Sequence, residues 1–303
     1  MATAPVVWPA KTREVQSAFV DSTRWNGFAF RDGDIVIATM GKSGTTWMQQ
    51  IVGQLIFRGA EGMPVMEISP WLDIGVVPIQ QILERLEAQT HRRFIKTHLP
   101  LDALVFSPKA KYIFVARDGR DVAWSWYNHM MSFSDAFMEL ANNAPGRAGP
   151  RFEKPKGDVV QYFREWLDGG GFLSAAEFWP HHQGWWDARH LPNVLLVHFN
   201  DLKADLSGQM RRIAAFLDIE IEEELWPTLV AHCAFDYMKR NANTLSPMLG
   251  VMFEGGGQNF VHKGTNGRWR DRLTQDDIAK YERLAAENLS PDCARWLATG
   301  EMA

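Results

Sequence analysis

Residues 34–52 read Asp34-Ile-Val-Ile-Ala-Thr-Met-Gly-Lys-Ser-Gly-Thr-Thr-Trp-Met-Gln-Gln-Ile-Val, and the fold is decided by how this stretch divides. Ile35 to Ala38 is a continuous apolar run, the pattern of a strand buried on both faces. Gly41 and Gly44 interrupt it. Trp47, Met48, Ile51, Val52, Leu55 and Ile56 then recur at intervals of three and four, the repeat of an amphipathic helix. Ser43, Thr45 and Thr46 are suited to cap the start of that helix, and Gly59 follows its end. Strand, tight glycine loop and helix together make a phosphate-binding geometry. The first N–H groups of the helix have no partner within it, and glycines let an anion come close. Lys42 adds a mobile positive charge. The nucleoside-triphosphate form of this device, GxxxxGK[ST], places its lysine after the second glycine; here Lys42 precedes Gly44. A plain glycine turn with an incidental lysine would account for the same residues, so the remainder of the chain has to arbitrate.

Composition narrows the classes. The 303 residues make one large domain or two small ones, and a hydrophobic content of 46% supports a sizeable core. No run reaches the roughly 18 apolar residues of a membrane span, and the N-terminus shows no basic region followed by an apolar one, so neither a membrane partner nor a secretory signal is expected. Cys233 and Cys293 lie far apart without metal-ligand spacing, as free thiols of a reducing, cytoplasmic compartment would. A net charge of −4 exerts no general pull on nucleic acid, so an anionic ligand has to be met by local clusters of charge.

Three further strands are expected. Arg93-Phe-Ile-Lys-Thr-His-Leu-Pro ends at His98 before Pro100, and Lys96 and His98, two apart, share one face of an extended chain. Polar residues at the end of a parallel strand project into the crevice where such sheets bind ligands. Lys111-Tyr-Ile-Phe-Val-Ala precedes Arg117, and a helix is expected from about Arg120 to Phe133. Arg117 and Ser125, eight positions apart, can grip a phosphate from two directions; a helix-start ion pair plus a surface serine is the plainer reading. Asn193-Val-Leu-Leu-Val-His-Phe is the last run.

Between these elements a weak helix is expected near Val15 and Phe19, a short one over 79–89, and a loop or lid over 142–158. Helices are expected over about 159–167, 174–190, 203–217 and 222–232. A long structureless segment over 241–266 should hinge at Gly255-Gly-Gly257, before a final helix from Gln275 to Asn288 capped by Thr274. His181, His182, Asp187 and His190 crowd beside Trp179, Trp185 and Trp186, as on a helix covering the core rather than a metal site.

Gly41-Lys-Ser-Gly-Thr-Thr-Trp47 resembles the 5′-phosphosulfate loop of the cytosolic sulfotransferases, enzymes that use 3′-phosphoadenosine 5′-phosphosulfate (PAPS), and three more motifs follow in matching order. Lys96-Thr97-His98 matches the segment whose histidine is the family's catalytic base. Arg117 and Ser125 match its 3′-phosphate site. Lys263, Gly264, Gly267 and Trp269 match its RKGxxGxW, with His262 in place of the arginine.

The resemblance spans roughly residues 34 to 274. It implies a single α/β domain over 1–303, with a parallel sheet of about five strands between helices, and transfer of a sulfuryl group from PAPS to the hydroxyl of a small, apolar alcohol or phenol, leaving adenosine 3′,5′-bisphosphate, with no metal. The catalytic set it implies is His98 as base, Lys42, Lys96 and Ser125. The cofactor set is Lys42, Ser43, Gly44, Thr45, Thr46, Trp47 stacked on adenine, Arg117, Ser125, Phe199 where the family has tyrosine, Cys233 where threonine is common, Phe235, Met238, His262, Lys263 and Gly264. Trp71, Met130, Met131, Phe133, Met248, Met252 and Phe253 are the expected acceptor side. Of the family's vertebrate dimer motif only Thr274 survives, which leaves monomer and homodimer open. Two other classes stay open: a metal-dependent small-molecule kinase, and a non-catalytic binder of adenosine 3′,5′-bisphosphate.

Overall fold

The structure is a computed structural model and describes residues 6–17, 19–144, 151–170 and 174–302. Its sheet has four strands, β1 (Ile35–Thr39), β2 (Phe94–Thr97), β3 (Lys111–Ala116) and β4 (Val194–His198), all parallel in the order β2-β1-β3-β4. About five strands were expected; the described chain contains only four apolar runs that pair. Ile35 stands beside Phe94 on one side and Lys111 on the other, and Tyr112 faces Val194. The chain therefore leaves β1 for one edge and returns to its opposite edge. That reversal opens a crevice at the carboxyl ends of β1 and β3.

Both faces are dry because the apolar runs alternate between two cores. Ile35, Ile37, Phe94, Ile113, Val115 and Val197 pack on Met48, Ile51, Val52 and Leu55 of α1 (Thr45–Phe57). Val36, Ala38, Ile95, Tyr112, Phe114 and Leu196 face an aromatic layer from α2 (Gly119–Met131), α3 (Val159–Leu167) and α4 (Ala175–Asp187). His181 and His182 belong to that layer: both rings lie against Phe114, and Phe178 O accepts from His182 Nδ1 at 2.8 Å. The C-terminal α5 (Gln275–Asn288) has the expected Thr274 cap, made reciprocal by Asp277. It is not the last helix, since Pro at the first turn and a Ser290 cap start α6 (Pro291–Thr299). Arg120 ties this region to the sheet by pairing with Asp118 at 2.6 Å and lying 4.0 Å from the Trp269 ring centroid and 4.7 Å from that of Tyr281.

Several connections differ from the sequence expectation. Near Val15 the chain folds back instead of coiling: Gln16 bridges Asp21 antiparallel and Val15 N–H donates to Ser22 Oγ. The helix expected at 203–217 is two, Phe199–Ala204 and Leu206–Leu217, divided where Asp205 accepts from Gly208 N–H as a cap. The segment 241–266 carries three single turns, Ala242–Thr244, Leu249–Met252 and Gly257–Phe260. Its glycines serve close packing rather than a hinge, for a Cβ on Gly257 would stand 2.5 Å from the carbonyl of Ala242. Residues 145–150 of the expected lid lie outside the described residues; beyond them, Phe152 is held to Asn142 by two hydrogen bonds.

At the opposite end of β1 from the crevice, Asp34 and Arg93 are each 1% exposed and paired through two contacts of 2.8 and 2.5 Å, with Arg93 also donating to Ala29 O. Removing one member leaves a buried charge without its partner. Arg93→Ala should cost about 3–5 kcal/mol of stability, measured by urea unfolding; a loss below about 1 kcal/mol would show that water reaches Asp34.

Candidate active site

Each strand delivers one group to the crevice: the loop after Thr39 carries Lys42, β2 leads to His98, β3 to Arg117 and β4 to Phe199. The loop is tight. Lys42 takes a left-handed φ of 72° and Gly44 one of 109°. Space also demands the glycines, since a Cβ on Gly41 would lie 2.5 Å from the Trp126 ring and one on Gly44 3.0 Å from that of Phe199. Gly44, not a hydroxyl residue, occupies the N-cap of α1, without a side-chain cap bond. Thr45 Oγ1 instead bonds Thr39 Oγ1 at 2.6 Å, and Ser43 Oγ is buried with no partner among the described residues. First-turn N–H groups and an unpartnered buried hydroxyl at one helix start form a cradle for an anion.

Positive charge converges on this cradle. Arg117 Nη1 donates to Lys42 O at 3.2 Å. Burial, with Arg117 and Lys96 adding repulsion, pulls Lys42 down to about 7. Burial pulls Lys96 down to about 8, opposed by Asp73, and its Nζ lies 4.5 Å from the Trp71 ring centroid. Arg117 is pulled down to about 10, again by burial first.

His98 is fixed as a neutral imidazole whose second nitrogen has no hydrogen-bond partner among the described residues. Its Nδ1 is 2.8 Å from Thr39 O, which can only accept, so Nδ1 carries the proton and Nε2 keeps its lone pair. Burial first, then Lys96, holds its pKa well below the ordinary imidazole value; the bond to Thr39 O opposes this. Asp73, absent from the sequence reading, accepts from Trp25 Nε1 (3.0 Å), Trp71 Nε1 (2.6 Å) and His98 N–H (3.4 Å). An acid enclosed in the apolar run Trp71-Leu-Asp-Ile was the available signal.

On the other side of the loop, Trp47 packs edge-on to Phe199 at 5.3 Å, and the Arg117 guanidinium lies 4.4 Å from the Phe199 centroid. Phe235 closes against Gly264, where a Cβ would stand 2.6 Å from its ring. Cys233 is present through its carbonyl, which accepts from Trp47 Nε1 at 2.8 Å; its thiol is buried in the core, where burial raises its pKa. Met238 lines a small cavity with Gln50, Met63 and Leu245. The loop 263–267 folds over Arg117, which donates twice to Asn266 Oδ1 (2.9 and 2.6 Å), while Gly267 N–H donates to Asp121 Oδ1 at 2.8 Å. Ser125 is one turn beyond Asp121 on α2, on the same face. Thr46 is partly exposed in the first turn of α1, and Lys263 is exposed. His262 Nε2 lies 3.3 Å from Arg268 Nη1, and partial burial, Arg268 and Lys263 lower its pKa. Arg268 and Asn266 were not singled out from the sequence.

The expected acceptor side is partly assembled. Trp71 meets the His98 ring at 4.7 Å, and Phe133, Phe253 and Phe260 surround His129. Met130 is buried in the core, and Met131 and Met248 lie exposed at 41% and 47%. His129 and Phe260 are additions that side-chain type alone did not suggest.

Comparison with known proteins accords with this arrangement. A sulfotransferase domain matches residues 32–291. A glycolipid sulfotransferase of Mycobacterium tuberculosis is 32% identical over 305 residues, 94% of each chain, and mouse sulfotransferase 1B1 is 30% identical over 87% of this chain and 85% of its own. A solved retinol dehydratase, in complex with androsterone and inactive cofactor PAP, superposes with a TM-score of 0.67 at 25% identity, covering 89% of this chain and 84% of that one. With the domain matched over most of its length and a relative sharing nearly a third of all positions end to end, this chain belongs to the sulfotransferase family.

Proposed function

We propose that this sulfotransferase uses PAPS as donor and a small hydroxyl compound as acceptor, releasing adenosine 3′,5′-bisphosphate. The observation that carries the reading is the meeting of Lys42, Lys96 and a one-proton His98 beside a helix-start cradle whose Ser43 hydroxyl lacks a partner among the described residues. The cradle fits a phosphosulfate: Ser43, Gly44, Thr45 and Thr46 would hold its 5′ end with Lys42. Trp47, Phe199, Phe235 and Gly264 would enclose adenine, and Arg117, Ser125, Lys263 and His262 would face the 3′-phosphate. PAPS supplies an activated sulfuryl group; the protein supplies the proton acceptor and the positive field. His98 Nε2 takes the acceptor proton, Lys96 holds sulfuryl oxygens and Lys42 neutralises charge on the leaving phosphate. The kinase alternative gains no support from the nearby acids, as Asp73 is engaged by Trp25, Trp71 and His98 and Asp121 by Gly267. Trp71, Phe133, Phe253 and Phe260 support an apolar alcohol or phenol as acceptor. The name of the mycobacterial relative, a glycolipid sulfotransferase, extends the class to a sugar hydroxyl. The buried free thiols Cys233 and Cys293 support a cytoplasmic location.

Incubation with labelled PAPS and a panel of phenols, alcohols and sugars should give a sulfated product, and His98→Ala should lower turnover on the order of 10²–10⁴-fold while keeping affinity for adenosine 3′,5′-bisphosphate. Most of the activity surviving in that variant would remove His98 from the mechanism.

The depressed lysines predict a proton linkage. A phosphate beside Lys42 favours the ammonium and raises its pKa from about 7, so binding takes up a proton between the free and bound values, and affinity falls as pH rises through that window. At pH 8, calorimetry of adenosine 3′,5′-bisphosphate in buffers of different ionisation enthalpy should report uptake of about one proton, much reduced in Lys42→Ala. No uptake would place the anion away from Lys42.

Arg268 beside His262 predicts which group carries charge at the 3′-phosphate. His262 is held below its ordinary pKa and is neutral at pH 8, whereas Arg268 stays charged. Arg268→Ala should weaken adenosine 3′,5′-bisphosphate by about 10–100-fold, and His262→Ala by less than about threefold, both by calorimetry at pH 8. The reverse order would return the contact to His262.

A further inference from the structure

His129 is a polar side chain of the crevice that neither the phosphosulfate reading nor the base assignment uses. It extends a stripe along α2. Asp121, Ser125 and His129 follow at intervals of four, so they lie on one face of the helix, with Asp121 holding the loop at Gly267 and His129 meeting Lys42 at the other end. The stripe thus runs from the 3′-phosphate side of the crevice toward the acceptor side.

The imidazole is set in an aromatic wall. Trp126, Phe133, Phe253 and Phe260 have ring centroids 5.4, 4.8, 4.9 and 5.9 Å from its own. Nδ1 is 2.9 Å from Lys42 Nζ, and Lys42 Nζ is itself 5.3 Å from the Phe260 centroid. An ammonium has three donors and no lone pair, so with Lys42 charged Nδ1 must accept, and the ring's single proton sits on Nε2. That Nε2–H has no hydrogen-bond partner among the described residues. Burial, and then the charges of Lys42, Lys96 and His98, keep the ring from taking a second proton. With an anion bound and Lys42 charged, what remains is a fixed, neutral donor in an otherwise apolar wall. Such a group costs free energy unless it is met by an acceptor atom, and a site built to bind one rejects analogues that lack it far more strongly than an apolar wall can.

Resting on the sulfotransferase reading above, we propose that His129 is a specificity-determining residue: its Nε2–H binds a second oxygen of the acceptor, adjacent to the hydroxyl presented to His98. The preferred acceptors are then compounds with vicinal oxygens, such as a catechol or the edge of a sugar ring, rather than isolated phenols or alcohols. The oxygen only has to accept, so an ether serves as well as a hydroxyl.

Paired acceptors of nearly equal size test this. Wild type should sulfate 2-methoxyphenol with at least about tenfold higher kcat/KM than 4-methoxyphenol, and trans-1,2-cyclohexanediol over cyclohexanol by a similar factor; the aromatic and aliphatic pairs separate catechol-like from sugar-like sources. His129→Phe keeps an aromatic ring and removes the donor, so both ratios should fall toward one. His129→Gln restores an N–H and should recover part of them. Calorimetric titration of the two methoxyphenols into enzyme saturated with adenosine 3′,5′-bisphosphate should show the same preference without turnover. Ratios near one in wild type, or ratios unchanged in His129→Phe, overturn the proposal while leaving the sulfotransferase reading intact. Absence both of transfer to any acceptor and of adenosine 3′,5′-bisphosphate binding would overturn the two together.

Discussion

The pairing of β1 with a parallel strand on each side governs the rest of this protein. Flanked by β2 and β3, β1 cannot shift sideways, and its dry faces prevent rotation. Its carboxyl end therefore emerges at a fixed point, where the strand order reverses and no neighbouring connection covers it. The loop that follows has to turn at once into α1, which explains the left-handed Lys42 and Gly44. It also explains why the helix is capped by a residue with no side chain. Because every strand runs the same way, the other three carboxyl ends arrive at the same rim, bringing His98, Arg117 and Phe199 from segments far apart in the chain.

What gathers there is positive charge, perturbed more by burial than by the nearby acids. Lys42, Lys96 and Arg117 each hold their protons less firmly than in water, chiefly because burial removes solvent; like charges add to this at Lys42, while Asp73 opposes it at Lys96 and Asp121 at Arg117. The acids within reach are spoken for: Asp73 orients Trp25, Trp71 and the backbone of His98, and Asp121 anchors the loop at Gly267. An arrangement of this kind is paid for in the ligand-free protein and relieved by an anion, so affinity and preorganisation have one electrostatic origin. Burial first, and then the charge of Lys96, keeps His98 neutral.

Much of this could be read from residue order, and the exceptions share a cause. The glycine loop, the Lys96–His98 pair and Arg117 are short-range patterns, each readable within one strand and its first turn. Arg117 with Asn266 joins positions 149 apart, and Lys42 with His129 positions 87 apart; no local spacing announces such pairs. Residue type also misleads where direction matters. Cys233 contributes a carbonyl rather than its thiol, and Met130 goes to the core while Met131 beside it is exposed.

The sequence by itself determined the α/β class, the strand that leads to the glycine loop and the chemical character of the groups at each strand end, because apolar periodicity and glycine placement act over a few residues. Only the tertiary structure decided that Thr39 O holds the proton of His98 on Nδ1, that Arg268 stands beside His262, and that His129 faces Lys42. Those are distances between elements packed from opposite sides of a sheet, and they are set by the order of the strands rather than by neighbours along the chain.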